Sequence, residues 1–348
     1  MEFLTEYGIF LAKAVTIVIV VLAIIAAATS MGNRNKKSES GHIEVNHLNA
    51  DIEAMSETLK SVVCDKEFLK HEHKEKKKQD KALKKERSQQ AKAGKHKKRV
   101  YVLDFEGDMK ASGVDSLKEE ITTILTLAEP LDEVVIRLTS AGGMVHAYGL
   151  AASQIQRISD AKIPLTVCID KVAASGGYMM ACLADKIISA PFAIVGSIGV
   201  VAQLPNFHRI LKKHDVDFEM FTAGEYKRTV TMFAENTKKG REKFMEELED
   251  THELFKLFVS ENRPSVDIKA VATGEIWFGK RALEKNLVDQ LGTSDDYITK
   301  ACEEADVYEV AFEHKKTLQE RLVSSIHSAL DRLILTWWDR IQTMRFYS

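Results

Sequence analysis

The sequence predicts an α/β domain built on a parallel sheet, and three observations carry that expectation. From Arg99 onward, short apolar runs of strand length alternate with longer amphipathic stretches of helix length. Two of these runs feed directly into glycine-rich turns, at Gly142-Gly143 and at Gly176-Gly177. The 348 residues are 45% hydrophobic with only 5 prolines, which gives one good-sized folded domain with accessory segments rather than a disordered chain.

The elements follow in order. Val100 to Phe105 is an apolar strand, followed by a helix from about Ser116 to Ala128. Glu133 to Thr139 is the next strand and runs into Ser140-Ala141-Gly142-Gly143, after which a helix spans about Val145 to Ile158. Leu165 to Asp170 is a third strand, ending just before Val172-Ala173-Ala174-Ser175-Gly176-Gly177-Tyr178 and another helix. Ser189 to Val201 adds a strand and a glycine turn. Repeated strand–turn–helix units pair their strands in parallel through right-handed crossovers. Ligands of such sheets bind beyond the carboxyl ends of the strands, where both glycine motifs fall.

Segments flanking this domain have other characters. Ala14 to Asn33 carries no charge, and its length matches the roughly 20 residues that cross a bilayer core. Glu2 and Glu6 precede it where a cleaved signal peptide needs a basic leader, so residues 1–33 read as one transmembrane anchor. Arg34, Lys36 and Lys37 follow the span, which by the positive-inside rule puts the bulk of the chain in the cytoplasm. Ile187 to Gln203 is apolar too, but Pro191, Gly196, Ser197 and Gly199 make it a buried strand and turn. Residues 34–98 read as a charged, Lys-rich linker. Lys66 to Arg99 holds 15 Lys/Arg against 5 Asp/Glu, although the whole chain is near neutral at −2. Such a run is a solvated, helical spacer or a contact for anionic lipid headgroups. It lacks the interleaved aromatics of a nucleic-acid surface, so no nucleic-acid partner is expected. Cys64, Cys168, Cys182 and Cys302 form no paired or CxxC pattern, and His71-Glu72-His73 alternates off a common helix face, so no metal site is expected.

The chemistry sits between the glycine motifs. Ser175, with small residues before it and glycines after, can be approached closely by a substrate backbone. A lysine can serve as its base when its surroundings strip its charge, and Lys227 in Gly224-Glu225-Tyr226-Lys227-Arg228 is the candidate. Near neutral pH only about one lysine in a thousand is uncharged, and lowering the pKa by ~3 units costs ~4 kcal/mol. Val230, Met232, Phe233 and Phe221 surround it in sequence with apolar groups able to desolvate it. The Gly142-Gly143 turn exposes backbone N–H groups, and Gly176 adds the N–H after the serine. Two such donors stabilise a tetrahedral oxyanion, each typically by ~3–4 kcal/mol. Ser197, in Gly196-Ser197-Ile198-Gly199, is a polar partner able to hold the amine. His146 is the rival base, but it belongs in the first turn of the following helix.

Ser140-Ala141-Gly142-Gly143, Ala173-Ala174-Ser175-Gly176-Gly177-Tyr178, Gly196-Ser197-Ile198-Gly199-Val200 and Tyr226-Lys227 resemble, in order and spacing, the signal peptide peptidase A family of serine–lysine peptidases. Gly274-Glu275-Ile276-Trp277-Phe278-Gly279 through Asn286-Leu287-Val288-Asp289 resembles its late segment. The likeness covers roughly Val100 to Gly292, and the added anchor and Lys-rich region look most like the family's SohB-type inner-membrane branch. The resemblance implies a ClpP/crotonase-like fold, a catalytic domain over 99–300, and a bacterial inner-membrane, single-pass protein without a metal or other cofactor. It implies Ser175 as nucleophile, Lys227 as general base, Ser197 as the lysine-orienting serine, and Gly142 and Gly176 as oxyanion-hole positions. Ala141 departs from the family's usual Ser-Pro-Gly-Gly, which loosens the turn without removing a donor. The family's best-known members work on the outer side of the membrane, contrary to the charge rule, and the side is left open.

The family also assembles into rings, which implies a homo-oligomer. Residues 301–348 read as an amphipathic helical segment. Thr317 and Glu320 form a capping box, and Leu318, Leu322, Ile326, Leu330, Leu333, Trp337 and Ile341 recur at helical spacing. That face packs on its own domain, on a second copy or at the membrane interface. The leading reading is a membrane-anchored serine endopeptidase acting on peptides or unfolded, membrane-derived segments. The alternatives are a catalytically inactive membrane scaffold and a crotonase-like acyl-CoA enzyme.

Overall fold

Alternating apolar side chains give two buried faces to a ten-stranded sheet in the computed structural model of this chain. The structure describes residues 41–92 and 96–314, together with positions 8, 13, 15 and 16. Ile43–Phe312 forms one unit; Met1–His42 with Glu313–Ser348 forms a second, described at only a few positions.

The strands are β1 (His42–His47), β2 (Arg99–Gly107), β3 (Glu133–Ser140), β4 (Leu165–Ile169), β5 (Val172–Ala174), β6 (Lys186–Ser189), β7 (Ile194–Gly196), β8 (Ile276–Phe278), β9 (Gln290–Leu291) and β10 (Asp306–Glu313). Their order is β1-β10-β2-β3-β4-β6-β9, with β5 bridging β3 to β7 and β8 lying on β7. From β10 through β9, and across β3–β5–β7, the pairing is parallel, and β7–β8 is antiparallel. The α/β expectation is met, and Ile187 to Gln203 contributes strand and turn as read.

Because side chains alternate across a strand, each central strand serves both faces. Tyr101, Leu103 and Phe105 of β2, Ile136 and Leu138 of β3, and Leu165 and Val167 of β4 point into one core cluster. The amphipathic helices α3 (Val114–Leu125) and α4 (Val145–Asp160) fill it with Leu117, Ile121, Ile155 and Ile158. Val100, Val102, Val135, Cys168 and Ile188 face the other way, toward Ile298 of α10 (Ser294–Glu304). Each fully buried aliphatic side chain contributes roughly 1.5–3 kcal/mol. Burial pushes the Cys168 and Cys182 thiols up to about 12, which keeps both as inert fillers.

The sheet overruns the expected limits of 99–300. β1 lies in the segment read as linker, and β10 in the segment read as C-terminal helix. Asn49, in α1 (Leu48–Val63), is the reason on the N-terminal side. Its amide donates to the carbonyls of Cys302 and Ala305 at 2.9 Å each and accepts from the Val307 N–H at 2.7 Å. One side chain thus caps the end of α10 and the start of β10, tying part of the segment read as linker into the sheet. The Lys-rich run forms α2 (Lys66–Lys92), whose Glu72 and Lys76 pair with Lys60, Glu53 and Glu57 of α1.

Among the described residues no helix is long and apolar enough to cross a membrane. The expected anchor over 1–33, apart from those isolated positions, and the expected helix over 317–341 lie outside the described residues.

Candidate active site

The parallel pairing of β3 with β5 matches Ser140 to Ala173. Two residues beyond that pair, at the carboxyl ends of both strands, the chain reaches Gly142 on one side and Ser175 on the other. Register alone therefore brings together two motifs separated in sequence. Gly142 has φ +86°, and a Cβ there would lie 2.7 Å from both the Ala174 carbonyl oxygen and the Gly176 nitrogen. Only glycine fits that turn.

Ser175 is the half-buried residue between β5 and α5 (Gly176–Ala181), with φ 53° and ψ −120°. That conformation costs a non-glycine residue roughly 1–3 kcal/mol, and such strain persists only where the surroundings enforce it. Here the Ser175 N–H is held by the Gly196 carbonyl at 2.8 Å. The next residue, Ser197, is itself at φ 53° and donates its N–H to the Glu275 carbonyl at 2.7 Å. Gly176 N–H opens α5 and has no intrahelical acceptor.

The turn presents its donors differently from the expectation. Gly142 N–H points back to Ser140 Oγ, at 3.1 Å. Gly143 lines the cavity beside Ser175 and Gly176, and among the described residues its N–H has no acceptor. The pair of open donors around Ser175 is therefore Gly143 and Gly176, and Gly142 is the turn-former between them.

The cavity beside Ser175 measures about 380 Å³. Its wall is apolar, with Val145, Tyr148 and Ala152 from α4 and Leu254, Phe255 and Phe258 from α7 (Lys238–Asn262). Tyr148 is fully buried, and burial raises its phenol above the usual range. Its hydroxyl lies 2.5 Å from Ser140 Oγ and donates to the Asp108 carbonyl at 2.8 Å. The Asp108 carboxylate, held by the Ser112 N–H and hydroxyl, sits below the usual range.

Lys227 is placed elsewhere. It is exposed, with its N–H on the Gly224 carbonyl at 3.2 Å, and it does not line the cavity. Among the described residues no hydrogen bond links it to Ser175 or Ser197. Its expected apolar cover is open as well, with Phe221 89% exposed and Phe233 41%. The arm that carries it, residues 201–237, is tied to itself through Phe207 N–H on the Met232 carbonyl and a Phe207–Phe233–Phe218 ring cluster. The structure thus assembles Ser175, Gly142, Gly176 and Ser197 and leaves Lys227 outside.

His146 is exposed in the first turn of α4, as read from sequence. Sequence reasoning read exposed N–H groups across Gly142-Gly143 without telling the two apart, and it gave no role to the Ser140 hydroxyl or to Tyr148. Tyr148 carried no separate signal, because its position fits the apolar stripe of an ordinary core helix.

The chain matches the model described as "Peptidase family S49 N-terminal" over residues 2–155 and "Peptidase family S49" over residues 157–308. A Haemophilus influenzae protein named "Probable protease SohB" is 50% identical, covering 91% of this chain and 91% of the relative. A namesake from Buchnera aphidicola subsp. Schlechtendalia chinensis is 46% identical over 86% of this chain and 99% of its own. Among solved structures, a membrane-bound stomatin-specific protease with a substrate peptide aligns at 14% identity and a TM-score of 0.40, covering 66% of this chain and 98% of that one. With half of its residues shared with the first of these relatives across nine-tenths of both chains, the protein belongs to peptidase family S49, in its SohB-type branch.

Proposed function

We propose that this chain is a membrane-anchored serine endopeptidase that cleaves peptides or unfolded segments through Ser175 and Lys227. The strained Ser175 turn carries the reading, since the serine shares the lining of an apolar cavity with Gly143 and Gly176. Ser175 Oγ attacks the peptide carbonyl and its proton passes to Lys227 Nζ. Gly143 and Gly176 N–H donate to the oxyanion, a contribution of typically ~3–4 kcal/mol each. The intermediate collapses, the leaving amine takes the proton from Lys227, and water then hydrolyses the acyl-enzyme by the same route. Ser197 orients the amine. The cavity favours an apolar side chain beside the scissile bond.

An exposed lysine cannot act as this base, so the arm over 201–237 must be covered and carried to a serine. Phe221 and Val201 are exposed apolar groups on that arm that a second copy would bury. The working form is therefore a homo-oligomer. The anchor over 1–33, the bacterial inner membrane as location and the ClpP/crotonase-like arrangement belong to the same reading. The exposure of Lys227 is the one observation that favours an inactive scaffold. Peptide cleavage by the detergent-solubilised full chain, beside Ser175→Ala, separates the two. The enzyme loses cleavage in the variant, whereas a scaffold shows equal background in both.

A further inference from the structure

We infer that Tyr148 is a positioning residue that sets the backbone donors of the oxyanion site. The inference rests on the reading of Ser175 as a nucleophile. Proton counting fixes the direction of the network. A carbonyl only accepts, so the single Tyr148 hydroxyl proton goes to the Asp108 oxygen at 2.8 Å. The contact between Ser140 Oγ and Tyr148 Oη at 2.5 Å must then use the Ser140 proton. Ser140 Oγ is left with lone pairs, and Gly142 N–H donates to it at 3.1 Å. The relay runs from Gly142 N–H through Ser140 and Tyr148 to the Asp108 carbonyl, with each donor used once.

This relay decides which way the turn faces. Turning Gly142 N–H inward to Ser140 leaves Gly143 N–H for the cavity. A second tie, Met144 N–H to the Met109 carbonyl at 2.9 Å, holds the far side of the same turn to the same neighbouring loop. Tyr148 also reaches the other donor. Its ring lies directly under Gly176, so closely that a Cβ at Gly176 would overlap Tyr148 Cγ. One buried side chain thus supports Gly176 with its ring and the Gly142-Gly143 turn with its hydroxyl. Its ring also lines the cavity, but its hydroxyl is engaged by Ser140 and Asp108 and takes no part in the proton transfer.

The test uses the detergent-solubilised full chain, its Tyr148→Phe, Ser140→Ala and doubly substituted forms, and Ser175→Ala as control. Active serines are counted by labelling to completion with a fluorophosphonate, so that misfolded molecules drop out. Per labelled serine, Tyr148→Phe is expected to lower kcat by about 10–100-fold, below the loss from deleting a whole donor. KM should stay within about twofold, because an oxyanion contact strengthens only in the transition state. Ser140→Ala should show the same split, and the double substitution should cost little more than either single one, since the groups act in series. Unchanged kcat per labelled serine in Tyr148→Phe, or a change in KM alone, overturns the inference while leaving the nucleophile in place. Peptide cleavage that persists in Ser175→Ala instead removes the reading on which it rests.

Discussion

The backbone N–H of Ser175 donates to the carbonyl of Gly196 at 2.8 Å, which makes the serine turn and the Ser197 loop one mechanical piece. Both serines sit at φ 53°, a conformation that neither would hold alone. Ser197→Ala keeps this backbone tie and removes only the hydroxyl. Peptide hydrolysis is expected to fall about 10–100-fold with the thermal midpoint within a few degrees of the parent. Full activity in that variant would remove Ser197 from the site.

Gly142→Ala tests the turn. The added methyl meets the Ala174 carbonyl oxygen and the Gly176 nitrogen at 2.7 Å, in a backbone conformation that L-residues rarely adopt. The turn must open, and with it the Gly143 donor moves. Hydrolysis should drop at least about 100-fold, the order seen for loss of one oxyanion donor. Circular dichroism should still report the sheet.

Glu120 predicts a pH-dependent stability. It is buried on α3 and accepts the Phe312 N–H at 2.8 Å, and burial, with Asp104 adding repulsion, pushes its carboxyl up from 4.5 to about 7. The folded chain therefore holds a proton that the unfolded chain has released between those values. Stability is fully retained below about pH 4.5 and declines as pH rises toward 7. Glu120→Gln removes that loss. Denaturant unfolding should find the variant more stable than the parent at pH 8, by on the order of 2 kcal/mol, and equal to it at pH 4.

The exposed arm predicts an assembly. Phe221 and Val201, both on that arm, are 89% and 80% exposed, and a second copy would bury them. Phe221→Asp should shift the detergent-solubilised protein to monomer in light scattering and abolish peptide hydrolysis together. A monomeric variant with parental activity would separate the lysine from assembly.

Much of this was legible in the chain. Val100, Leu103 and Ile136 announce parallel strands because buried strands are apolar on both faces, and Gly142 and Gly176 mark the ends of those strands. What failed was long-range or relational. Asn49 joins the sheet through three backbone groups some 250 residues away, a partnership that no local pattern encodes. Gly142 and Gly143 are indistinguishable as letters, and only the bond from Gly142 N–H to Ser140 shows which donor stays open. Lys227 carries its motif, but the apolar residues near it in sequence do not bury it within one chain.

A fluorophosphonate reacts with a serine only when its proton has somewhere to go, so it reads the Ser175–Lys227 pairing directly. The detergent-solubilised chain, Ser175→Ala and Lys227→Ala would be labelled in parallel, with the adduct located by peptide mass spectrometry and peptide cleavage followed in the same samples. The dyad predicts an adduct on Ser175 in the parent, labelling at least about 100-fold slower in Lys227→Ala, and no cleavage by either variant. Cleavage by the parent with Ser175 unlabelled, or equal labelling rates with and without Lys227, would contradict it.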